Sequence, residues 1–108
     1  MRILFLVLTL VGFGSSGFSQ TTATGSIRAI NTGWNADAFS LQTREPIQNP
    51  AGCANPLGYE SYSSEPGYNT NYAAALTAYM ANLQVSVVID DKVCLGPFPK
   101  IIGISLLR

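Results

Sequence analysis

The stretch from Asn69 to Ile89 constrains this chain more than any other. It reads as one amphipathic helix running directly into one β-strand. Tyr72, Leu76, Tyr79, Met80 and Leu83 recur at helical spacing and form a single apolar stripe, the face expected to pack on the core. Ala74, Thr77, Ala78, Ala81 and Asn82 make up the opposite, small or polar face. Asn69, Thr70 and Asn71 are alternative N-caps, because a short side-chain oxygen can accept a free first-turn N–H. Asn82 suits the left-handed residue that often ends a helix. The period then falls to two. Val85, Val87 and Ile89 take one side of a strand, and Ser86, Val88 and Asp90 the other.

The start of the chain has a different character. Met1-Arg2 is a short positive segment, Ile3 to Phe13 is nearly all apolar, and Gly14 to Ser19 is small and polar. This is the layout of a secretory signal peptide. The apolar run is about half of the ~20 residues a membrane-spanning helix requires. The expected organisation is therefore a cleaved leader over 1–19 and a single domain over 20–108, secreted or periplasmic, with no membrane span in the mature chain. Cleavage after Gly17 or Ala23 satisfies the small-residue rule nearly as well.

Two cysteines, Cys53 and Cys94, are present. In an exported chain an even count points to a disulfide, and two thiols allow one pairing. A bridge closing a loop of roughly 40 residues is worth about 4 kcal/mol on the chain-entropy account. No histidine accompanies them, so a zinc site is not expected.

Turn residues divide the remainder. Gln20–Thr24 is polar and expected to be frayed, and 25–30 is a first strand with neither face cleanly polar. Asn31-Thr32-Gly33 marks a turn before a second strand near Ala38–Thr43. Pro46, Pro50 and Pro56 exclude a central strand from the next loop. Leu57–Ser64 is a third strand, with Tyr59 and Ser61 on one face. After the helix come a fourth strand over Gln84–Ile89, a polar turn at Asp90-Asp91-Lys92, and a stiff connector at Gly96-Pro97-Phe98-Pro99 in which either X–Pro bond can be cis. The fifth strand covers Lys100–Leu107, with Ile102, Ile104 and Leu106 on one face. The order is three strands, a helix, two strands. The fold class is therefore β-rich (all-β/α+β): a five-stranded OB-like barrel with one helix between strands 3 and 4. An α+β sheet with one packed helix is the competing arrangement.

Chemistry is sparse. Without histidine, Ser–His and Cys–His catalysis is excluded, and a disulfide would consume both thiols. Asp90 and Asp91 are adjacent and solvate a turn, while Glu60 and Glu65 are isolated, so no carboxylate pair is set up for glycoside hydrolysis. No enzyme, catalytic residue, metal or cofactor is expected. The formal charge is zero and no basic run exists, which leaves nucleic acid without an electrostatic footprint. The aromatics are more suggestive. Trp34 lies beside Asn35 and Asp37 in a loop, and Tyr68 lies beside Asn69. Sugar rings stack on such side chains while Asn and Asp bond hydroxyls. Trp34, Asn35, Asp37 and Tyr68 are thus the candidate ligand contacts, although Trp34 would equally cap a barrel. Tyr72 and Tyr79 lie on the helix stripe and are expected in the core.

The Asn49-Pro50-Ala51-Gly52-Cys53 loop, the Leu76-Thr77-Ala78-Tyr79 helix, the Val85–Asp90 strand, Cys94 and the closing Pro99–Ile104 segment resemble a group of small secreted bacterial proteins, mostly uncharacterised. Their layout is also similar to the OB-fold binding subunits of AB-type toxins, of the subtilase-cytotoxin and pertussis-like kind, over about Thr24 to Leu107. The resemblance implies a non-enzymatic, glycan-binding subunit that forms a homo-oligomeric ring. The alternative is a structural domain whose partner is another protein.

Overall fold

The computed structural model describes residues 19–33 and 36–108. It contains β1 (Gln20–Thr32), β2 (Ala38–Thr43), β3 (Tyr59–Tyr62), α1 (Tyr68–Ala81), β4 (Gln84–Leu95) and β5 (Phe98–Leu107). The strands close in the order β1-β2-β3-β5-β4, with β4 returning to β1. Only β3 and β5 run parallel. Among the described residues this is the five-stranded OB-like barrel, with a single helix between the third and fourth strands. The expected leader falls on residues outside those described, apart from Ser19. Among the described residues no helix is long and apolar enough to cross a membrane.

β1 serves two neighbours. Its first half pairs with β4, from Gln20↔Asp90 to Ser26↔Gln84, and its second half pairs with β2. Gln20–Thr24 is therefore ordered strand and not a frayed end. Polar character hid this, but threonine is β-branched and favours the extended chain. Two bulges then keep apolar side chains on the core side. Arg28 is the extra residue opposite β2, between the Ile27↔Thr43 and Ala29↔Gln42 pairs, so Ile27 and Ile30 both turn inward. Ile102 is the extra residue opposite β4, between Ile89↔Ile101 and Val88↔Gly103. The inward set of β5 is consequently Pro99, Ile101 and Ile104, and Ile102 faces outward instead of sharing a face with Ile104.

β4 starts where the period-two pattern placed it, and Val85, Val87 and Ile89 are fully buried. It does not end at Asp90-Asp91-Lys92. The Asp90 carboxylate accepts the N–H groups of Lys92 and Val93, which holds a kink inside the strand, and pairing resumes at Cys94↔Pro99. Gly96, at φ 57°, and Pro97 then turn the chain into β5. No cis peptide bond occurs among the described residues.

The helix faces differently from its apolar stripe. It buries Asn71, Ala75 and Ala78, while Leu76, Tyr79 and Met80 are exposed, Met80 to 79%. Tyr68, Tyr72 and Leu83 pack against the core from the margin of the seat. The buried arc lies roughly a third of a turn from the expected one at about 100° per residue. Hydrophobicity is spread almost evenly round this helix, which carries no charged residue, so the stripe has little directional meaning. The barrel mouth is already filled by Phe39, Leu41, Tyr59 and the β4 valines, leaving room for alanine. The first turn is preceded by Gly67 in the left-handed region, and no side chain caps it. Asn69, Thr70 and Asn71 lie inside the helix. Asn82 ends it in the left-handed conformation, as its sequence position indicates.

The disulfide joins Cys53 to Cys94 with Cα atoms 5.8 Å apart. It ties the proline-rich loop to the β4–β5 hairpin, as does the Asn55 N–H donating to the Pro97 carbonyl at 2.7 Å. Fully buried Tyr59 reaches the same loop, its hydroxyl accepting the Gln48 N–H at 2.8 Å.

Candidate functional site

Strand alternation sends Tyr59 and Ser61 into the barrel and Glu60 and Tyr62 onto the outer face of β3. Ser40 of β2 is the register partner of Glu60. Together they floor a cleft of about 200 Å³. Asn31 and Thr32 at the end of β1, with Gly33 and Ala36 from the connection to β2, wall one side, and Phe98, just past the β4–β5 turn, walls the other. Gly96 in that turn lies against the Tyr62 hydroxyl, where an added Cβ would come within 3.3 Å of the oxygen. The rings of Tyr62 and Phe98 offer apolar surface. Asn31, Ser40 and Glu60 offer hydrogen-bonding groups.

Burial raises the Glu60 carboxyl above its ordinary range, and a hydrogen bond donated by Tyr62 partly offsets this. The Tyr62 phenol is raised as well, first by burial, then by the neighbouring Glu60 charge and the bond to it. Among the described residues no cluster of His, Cys, Asp and Glu is placed to hold a metal ion.

Of the residues singled out in sequence, Trp34 and Asn35 lie outside those described. Gly33 and Ala36, which flank them, both border the cleft. Asp37 and Tyr68 are brought together on the helix side of β2. The Asp37 carbonyl accepts the Ser63 N–H at 2.8 Å, and Tyr68 stacks on Tyr72 with ring centroids 6.2 Å apart. Burial, and then the Asp37 charge and Tyr72, raise the Tyr68 phenol. Neither Asp37 nor Tyr68 lines the cleft. Glu60 and Phe98 do, and neither was singled out, although the alternation of Glu60 with Tyr59 already marks it as outward-facing.

Concavities also lie elsewhere among the described residues. One of about 560 Å³ lies on the outer face of β1, β4 and β5, walled by Val88, Lys92 and Ile102. A shallow groove of about 460 Å³ runs along Leu76, Thr77, Met80 and Ala81 of α1. No family model, curated protein or solved structure matches this chain.

Proposed function

We propose that the chain is an exported, non-enzymatic binding module that holds a glycan in the cleft over β2 and β3. The observation carrying this reading is the convergence of the Tyr62 and Phe98 rings with Asn31, Ser40 and Glu60 between the two hairpin turns. In OB barrels this face and these loops are where oligosaccharides and oligonucleotides bind. Nucleic acid is disfavoured, because the cleft lining includes no cationic side chain to meet phosphates. The disulfide supports export, since such bonds persist in oxidising compartments. Screening the oxidised protein against an immobilised glycan panel tests the reading. Saturable binding lost on Tyr62→Ala supports it, and binding to no glycan overturns it.

A second reading rests on α1. Leu76, Tyr79 and Met80 form an exposed apolar face, as a ring-forming subunit would require and as the likeness to toxin binding subunits would imply. Light scattering during size exclusion decides it. A particle of about five protomers supports a closed ring, and a monomer at high concentration overturns it.

A further inference from the structure

Glu60 and Lys100 are register partners across the parallel β3–β5 pair, so they stand close on the barrel wall. They do not pair. The Lys100 ammonium lies 2.8 Å from Glu65 Oε1, and both of those side chains are largely shielded from solvent. Glu60 has no salt-bridge partner among the described residues. The neighbouring Tyr62 hydroxyl is uncharged. An ionised carboxylate has about four acceptor positions, so capacity remains for donors entering the cleft. The other described residues lining it, Asn31, Ser40 and Phe98 among them, are uncharged.

We propose, resting on the glycan reading of this cleft, that it selects an uncharged sugar unit and rejects acidic sugars, with Glu60 as the acceptor for ring hydroxyls. A cleft of about 200 Å³ has room for one sugar ring and not for an extended chain. Vicinal hydroxyls donate to the two carboxylate oxygens, and charge-assisted bonds of this kind are about twice as strong as neutral ones. The apolar face of the ring rests on Tyr62 or Phe98. A carboxylate on the sugar would meet a half-buried carboxylate of the same sign, with the nearest lysine held by Glu65. Like-charge juxtaposition is a rejecting element, and it determines specificity more than total affinity.

The test uses matched sugars that differ only in this charge: methyl galactoside against methyl galacturonide, and methyl glucoside against methyl glucuronide. Each is titrated into the oxidised protein with backbone amide shifts as the readout. The neutral member of at least one pair is expected to bind more than about tenfold tighter than its acidic counterpart. Glu60→Gln is expected to close most of that gap, by weakening the neutral sugar and admitting the acidic one. An acidic member that binds as tightly as the neutral one overturns the selectivity while leaving the glycan site standing. A gap unchanged in Glu60→Gln removes Glu60 from the role. Binding of neither member of either pair, together with an empty glycan panel, overturns the site and the selectivity together.

Discussion

Asn49 holds Cys53 by both of its backbone polar groups. Its Oδ1 accepts the Cys53 N–H at 2.8 Å, and its Nδ2 donates to the Cys53 carbonyl at 2.9 Å. The cystine is thus fixed on its loop side by an amide clamp independent of the bridge. Asn49→Ala is expected to cost about 1–3 kcal/mol, since it strands a donor and an acceptor on a buried residue. Replacing both cysteines by alanine is expected to cost about 4 kcal/mol. Urea unfolding of the oxidised variants measures both. A loss below about 0.5 kcal/mol for Asn49→Ala would show that the clamp is replaced by solvent without penalty.

The orientation of α1 makes a prediction opposite to the one its sequence suggests. Ala78 is 1% exposed and Met80 is 79% exposed. Enlarging the first should hurt, and truncating the second should not. Ala78→Leu is expected to lower stability by about 1–3 kcal/mol through overpacking. Met80→Ala is expected to stay within about 0.5 kcal/mol of the parent. Thermal unfolding of the two variants side by side settles the facing, and the reverse ranking would mean that the helix is rotated.

Ser61 faces the interior from β3, paired with Phe39 and wholly buried, and its hydroxyl has no hydrogen-bond partner. A buried unsatisfied hydroxyl carries its desolvation cost without return. Ser61→Ala removes the oxygen at almost no change in volume. A gain of about 1 kcal/mol in chemical denaturation is expected. A comparable loss would reveal an interior water bonded to Ser61.

Burial raises the Glu60 carboxyl in the folded chain. The native state therefore keeps this proton to higher pH than the unfolded state does. The associated stability is complete below the unfolded carboxyl's pKa and is lost as pH rises through the native one. Glu60→Gln cannot titrate. Its stability relative to the parent should rise as pH climbs through the acidic range toward neutrality, and fall again on acidification. Denaturant midpoints for the pair across that range are the measurement. A difference that stays flat with pH would place the Glu60 carboxyl in ordinary solvent.

Much of the barrel was readable because its signals are local. β2 spans Ala38–Thr43 as its alternation indicates, Asn82 closes the helix, and Cys53 and Cys94 are bonded. The failures share one cause, which is information held between strands. A bulge at Arg28 or Ile102 shifts the inward face by one residue, and strict period two cannot anticipate it. The helix stripe misled because nearly every position of α1 is apolar or small, so the contour of the barrel mouth chose the face. Glu60 looked isolated because its neighbours in the cleft, Asn31, Ser40 and Phe98, come from three other strands and meet it only when the sheet closes.

The seam between β1 and β4 has a consequence for how the molecule is made. Thr21 bonds to Asp91 across 70 residues of sequence. β1 emerges well before β4 during synthesis, so half of its backbone waits for a partner that lies far along the chain. Long-range pairings of this kind slow folding and leave strand edges open to other chains meanwhile. A circular permutant that places the β1 segment after β5 would make the β1–β4 pairing local and the β1–β2 pairing long-range instead, and its refolding rate against the parent would compare the closing of the two seams.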